Sequence, residues 1–325
     1  MKLTTRLTQS LGIAVPILSA PMPHAAGGKL AAAVSAAGGL GFIGGGYGED
    51  FWLEHQFELA GKEKVGCGFI AWSLARRPFL LDLALDRFPV AILLSFGDPE
   101  PFAERIRGDG VKLICQAHSK ADALRALDVG ADIVVAHGGE GGGHGALRAT
   151  MALVPELADL IAVRAPETLL VAAGGIADGR GLAAALMLGA DGAMMRTRFW
   201  ASREALVHPK LQAASVATDG DGTIRTSAVD RVRGLKWPAE FSARLLRNDF
   251  TERCGAAQNA GETLPDDEAA RYFAAMEEGD PNEAAIYVGE AVGLIHDVPS
   301  VATLIERIAH EAEALLGKRA PAFVA

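Results

Sequence analysis

The residues best equipped for chemistry sit between positions 116 and 145. The run Gly138-Gly139-Glu140-Gly141-Gly142-Gly143-His144-Gly145 follows the short apolar stretch Ile133–Ala136 and His137. Glycine loses more conformational freedom on ordering than any other residue, so a loop this rich in it needs a reason. One reason is backbone that passes close to a flat ligand while delivering His144, whose imidazole titrates near neutral pH and can take a proton. The plain alternative is a surface loop with two solvated histidines. Metal binding is disfavoured, because His137 and His144 stand seven apart on a glycine loop with Glu140 between them. Cys67, Cys115 and Cys254 match neither zinc spacing nor a disulfide framework. Cys67 and Cys115 read as ordinary buried thiols.

The elements around these residues alternate regularly. Apolar runs at Val15–Ala20, Gly41–Ile43, Val65–Trp72, Val90–Ser95, Val111–Gln116, Ile133–Ala136, Thr168–Ala173 and Gly192–Met195 read as strands. Helix-length segments separate them, at Lys29–Ala37, Phe51–Ala60, Pro78–Asp86, Pro101–Arg107, Lys120–Leu127, Leu153–Val163 and Arg180–Leu188. Short apolar strands between helices imply a parallel sheet covered by helices. Eight such units predict an α/β chain folded as a (β/α)8 TIM barrel over residues 1–217. A doubly wound sheet is the competing architecture, but the first turn has no dinucleotide fingerprint. Glu204–Ala217 reads as a further helix. Residues 218–284 are polar and mixed, and predict a small, mostly helical lid. Residues 285–325 carry an apolar stretch, a final helix at Val301–Leu316 that returns to the barrel, and a tail.

A barrel binds ligands at the carboxyl ends of its strands. This chain places Pro21-Met22-Pro23, Gly44-Gly45-Gly46, Gly68, Gln116, the histidine loop, Gly174-Gly175 and Arg196-Thr197 there. The ends of the seventh and eighth strands are the usual phosphate site, so Gly174-Gly175 with Arg196-Thr197 predicts a phosphate anchor. An anchor beside a long glycine-lined floor suits flavin mononucleotide (FMN) better than a sugar phosphate. Half of the residues are hydrophobic, enough for a large core, and the net charge of −9 argues against a nucleic-acid surface. No apolar leader follows Met1–Arg6, and no run approaches the ~20 apolar residues of a membrane span. A soluble, cytoplasmic monomer or homodimer is expected.

The histidine loop, with Val154-Pro155-Glu156 after it, resembles that of the nitronate monooxygenase family, formerly called 2-nitropropane dioxygenases. Pro16-Ile17, Ala20-Pro21-Met22, Ala31–Gly41, Ala172–Gly181, Thr197-Arg198-Phe199 and Val292–Ile295 are similar to further family elements. The resemblance implies an FMN-dependent barrel enzyme that oxidises alkyl nitronates with O2 to carbonyl compounds and nitrite. His144 matches the family's catalytic histidine. Backbone at Ala20, Pro21 and Met22 would line the flavin, and Gly68 and Gly138 would join them. Gln116 and His137 would approach the ring, and Ala173, Gly174, Gly175, Arg196 and Thr197 would hold the phosphate. The sequence departs from the family at three places: the family often has Asn where Gly68 stands, Gly where Arg196 stands and Gln where Glu290 stands. Two alternatives are an NAD(P)H-dependent FMN reductase acting on a quinone or enoyl thioester, and a non-catalytic FMN-binding protein.

Overall fold

Strands form where short apolar runs are hemmed in by glycine, proline or polar residues. In the computed structural model, which describes residues 3–259, 264–265, 267–319 and 321–323, eight of them run parallel. They are β1 (Ile17–Ser19), β2 (Phe42–Gly44), β3 (Gly66–Ile70), β4 (Ala91–Ser95), β5 (Lys112–Ala117), β6 (Ile133–His137), β8 (Leu169–Ala173) and β9 (Gly192–Met195); β7 (Gly143–Gly145) belongs elsewhere. Their order is β1-β9-β8-β6-β5-β4-β3-β2. A parallel bridge between Leu18 and Leu40 joins the two ends, so the barrel is nearly closed. Helices alternate with the strands within a residue or two of the expected limits, except that Thr150–Arg164 starts three residues earlier. The last helix, Val301–Ala314, packs on the helices Gly179–Met187 and Gly28–Ala36 and completes the outer ring.

Two apolar layers hold this arrangement. Leu18, Phe42, Leu93, Ile114, Val135, Val171 and Met194 form one buried cluster inside the barrel. A larger cluster lies between strands and helices, and it includes Cys67 and Cys115, which are buried as expected. The floor of the barrel is closed by a helix the sequence reading omitted, Arg6–Leu11. Its six residues are too few for a helical period to show. Thr5 and Thr8 cap it reciprocally, Leu7 is fully buried against the barrel core, and Arg6 grips both carboxylate oxygens of Asp191 at 2.9 Å.

The segment after the barrel holds a sheet as well as helices. β10 (Thr223–Thr226) and β11 (Ser242–Leu246) pair antiparallel, and β11 pairs in turn with β7, which is the histidine loop itself. Ala228–Val232, Asp249–Asn259 and Glu268–Glu278 are helical. Ala243, Leu245, Val229, Phe250 and Tyr272 share a small separate core. The expected helix Glu204–Ala217 is formed only over Pro209–Val216. Of the expected lid, residues 260–263 and 266 lie outside the described residues, as do Ala320 and residues 324–325 of the expected tail. Among the described residues no helix is long and apolar enough to cross a membrane.

Candidate active site

The glycine loop is ordered by what grips its carbonyls. Arg225 on β10 donates to the carbonyls of Gly139 (3.0 Å), Gly145 (3.0 Å) and Ser242 (2.6 Å). Arg244 on β11 also reaches the Gly139 carbonyl, at 3.2 Å, and pairs with Glu290 at 2.8 Å. The two arginines are cross-strand neighbours, an arrangement that costs energy when like charges stand alone. Here the shared carbonyl and Glu290 offset the repulsion, and burial still pulls the Arg225 pKa down to about 10. Glu140, the one acidic residue of the loop, is turned away from His144. Its carboxylate accepts from the backbone N–H of Thr150 (2.9 and 3.0 Å) and from its hydroxyl (2.8 Å), capping the helix Thr150–Arg164.

Pairing of β7 with β11 also sets the direction of His144. Residues alternate between the faces of a strand. His144 lies opposite Ala243, in the row next to Arg244–Gly143. It therefore shares the face of Ala243, which the helix Ala228–Val232 covers. There the Nε2 of His144 meets both oxygens of Asp230, at 3.0 and 2.9 Å. A carboxylate accepts, so Nε2 carries the hydrogen and the lone pair resides on Nδ1. Trp237 stacks on the imidazole, with ring centroids 3.5 Å apart and planes 2° from parallel. Both partners of the dyad are buried, with side chains 7% and 4% exposed. Burial pulls the His144 pKa down; the hydrogen bond and charge of Asp230 push it up, and the net shift is downward. The resting imidazole is neutral at pH 7, the state a base requires.

A second polar group lies deeper. Gln116 Nε2 is 2.8 Å from His137 Nδ1 and 3.0 Å from His118 Nε2, and the two ring nitrogens are 3.1 Å apart. Burial lowers the pKa of both rings, that of His118 to about 4. Both are neutral and serve as hydrogen-bonding groups rather than charges. Nearby, Phe96 at the end of β4 takes φ 56°, uncommon for a bulky residue. That conformation sets its ring against Trp237, Phe241 and His118.

His144, Trp237, Gln116, His137 and Phe96 line a cavity of about 260 Å³ at the carboxyl ends of the barrel strands, under the lid. The profile of the family described as "Nitronate monooxygenase" matches residues 76–311. A relative from Metarhizium robertsii, nitronate monooxygenase npaC, is 36% identical over 92% of this chain and 91% of its own length. The chain belongs to the nitronate monooxygenase family. Membership makes it an oxidoreductase and a flavoprotein. Among solved structures it is similar to FabK from Thermotoga maritima, with a TM-score of 0.84, 31% identity and coverage of 98% and 99% of the two chains. Nitroalkane oxidase from Streptomyces ansochromogenes gives a TM-score of 0.80 at 25% identity, over the same shares.

Within this family fold, Ala20, Pro21, Gly68, Gln116, His137, His144, Ala173, Gly174, Gly175, Arg196 and Thr197 all line the cavity. Two residues expected there do not. Met22 is fully buried in the outer core, and Gly138 packs against Thr150. The cavity fits a phosphate group in two respects. Gly174 and Gly175 both take left-handed conformations, φ 103° and 70°, where a side chain would be strained. Among the described residues no hydrogen bond uses the N–H of Gly175, which leaves it for an anion. Gly68 abuts the ring of Pro21, so a Cβ there would collide with it. The asparagine frequent in the family has no room at this position. Arg196 is committed elsewhere: its guanidinium lies beside Gly143 and donates to the Tyr287 carbonyl. Thr197 accepts the Gly289 N–H at 2.9 Å through its hydroxyl, whose own hydrogen is left to donate.

Sequence reading missed Asp230, Trp237, His118 and the two clamping arginines. None stands in a motif. The one signal in reach was the alternation Thr223-Ile224-Arg225-Thr226, which marks a strand rather than a helix.

Proposed function

We propose that the protein is an FMN-dependent nitronate monooxygenase that turns alkyl nitronates and O2 into carbonyl compounds and nitrite. The observation that carries this reading is the buried His144–Asp230 dyad, whose histidine lines the cavity. Asp230 fixes the tautomer and compensates the charge that His144 gains. His144 Nδ1, to which no described group bonds, takes the acidic α-proton of a nitroalkane. With a preformed nitronate it stays neutral and faces the anion. Gly174, Gly175 and Thr197 would hold the cofactor phosphate, and Arg196 would order the backbone around it. Ala20, Pro21, Gln116 and His137 would border the ring. When bound, the flavin supplies electron transfer and the reaction with oxygen. The aromatic wall of Phe96 and Trp237 excludes water from the reacting carbon.

The test is anaerobic mixing of the holoprotein with a nitronate and, separately, with NADH, while flavin absorbance is recorded. Bleaching by nitronate and none by NADH is expected. The reverse would assign the chain to the NAD(P)H-dependent reductases acting on quinones or enoyl thioesters. The variant His144→Ala should keep its flavin and lose turnover of nitroalkane; unchanged turnover would refute the assignment of the base.

A further inference from the structure

Arg233 lies outside the dyad and the loop clamp. It ends the helix Ala228–Val232 and lays its guanidinium over the Tyr47 ring, 4.9 Å from the centroid. Arg225, Arg244 and Arg253 are all spent on carbonyls or carboxylates. Arg233 instead faces phenols: burial pulls its pKa down, Tyr287, Tyr272 and Tyr47 push it up, Tyr287 also through a hydrogen bond, and the upward direction prevails. Two polar atoms beside it are also poorly paired. Among the described residues, Trp237 Nε1 and the Tyr287 hydroxyl are buried without a well-aligned hydrogen bond; the neighbours within reach are the phenol of Tyr47 for Trp237, and Arg233 and the phenol of Tyr272 for Tyr287. A buried donor left unpaired costs about 1–3 kcal/mol, and donors that meet only misaligned neighbours at a cavity wall are open to a better-placed acceptor. All three side chains line the cavity that His144 lines. The nearby carboxylates are occupied, Asp230 by His144 and Glu140 by Thr150.

We propose that Arg233, Trp237 Nε1–H and the Tyr287 hydroxyl form an oxyanion subsite that receives the nitro oxygens of the substrate. The proposal rests on the nitronate reading of the cavity and names the residues that select for it. Trp237 is stacked on His144, so an oxygen held by its N–H lies within reach of the imidazole. Removal of the α-proton moves a full negative charge onto those oxygens. A guanidinium already in place stabilises that charge more than it stabilises the neutral nitro group.

The experiment titrates the oxidised holoprotein with nitrate, a planar and unreactive oxyanion, and reads the flavin difference spectrum. Arg233→Gln should weaken nitrate binding by roughly tenfold to a hundredfold, the range of a charge-assisted hydrogen bond. Arg233→Lys should lose less. Trp237→Phe, which keeps the stack and removes the N–H, should lose severalfold. KM for a nitronate should rise in the same order, and Arg105→Gln, at an exposed side chain outside the cavity, should change nothing. Flavin content and circular dichroism report whether each variant is folded. A wild-type protein that gives no nitrate signal overturns the proposal, and so do folded Arg233→Lys and Trp237→Phe variants that bind nitrate as the wild type does. If nitrate binding depends on Arg233 while the wild type never oxidises a nitronate, the subsite stands and the nitronate reading fails.

Discussion

Replacing Asp230 by asparagine isolates what the dyad contributes. The carboxylate oxygens stand 2.9 and 3.0 Å from His144 Nε2, and both side chains are almost fully buried. Opposite unit charges about 4 Å apart attract by about 4 kcal/mol at an effective dielectric near 20. Exchanging a charge-assisted hydrogen bond for a neutral one loses about 2 kcal/mol by mutational measure. The imidazolium formed by proton abstraction is therefore about 2–4 kcal/mol harder to reach in Asp230→Asn, which is roughly a 30- to 700-fold loss of rate. The assay is oxygen consumption, as kcat/KM, on a nitroalkane and on the preformed nitronate of the same compound. The loss should fall on the nitroalkane, because the nitronate has no proton to give. Equal losses on both substrates would falsify the proton-transfer role. A wild type inert toward the nitroalkane would refute it equally.

The same dyad sets a pH dependence. Because the net shift of His144 is downward, its neutral form persists below pH 6.5, and the acid limb of the nitroalkane profile should lie under that value; Asp230→Asn, which removes the upward cause, should move it lower still. His118 is neutral when folded, with its pKa lowered from 6.5 to about 4. Its contribution to stability is complete above pH 6.5 and disappears as the pH falls from 6.5 to 4. Urea unfolding should show about 3 kcal/mol of this loss in the wild type and not in His118→Gln. Gly174→Ala would force a side chain to φ 103° with its Cβ 2.8 Å from the Gly138 carbonyl. It should cost at least about 1 kcal/mol and lower the flavin-to-protein absorbance ratio of the purified protein.

The barrel was legible because its signals are local. Each strand is an apolar run with a punctuating glycine or proline beside it, and Gly192–Met195 forms to the residue as read. The glycine-rich strand ends likewise lead to the cavity. What could not be read depends on pairing at a distance. β7 is three residues of a glycine loop, a strand only because Ser242–Arg244 lies beside it a hundred positions later. Asp230 and Trp237 belong to a segment whose composition is only mixed and charged, and their meeting with His144 is decided by that pairing. Within the Ala20-Pro21-Met22 motif the first two residues line the cavity, while the Met22 side chain turns into the core.

Barrel enzymes diversify by varying one loop while the others stay as they are, since each loop is rooted in its own strand. The histidine loop of this chain does not have that independence. Its central residues are an edge of the sheet formed by the later insertion, and the carboxylate that tunes the base is carried by the same insertion. A lengthened, shortened or grafted insertion would alter the pocket and the basicity of His144 in one stroke. Substrate range and proton affinity are thus inherited together, and a lineage that acquires a new cover for the barrel must also find a new setting for its base.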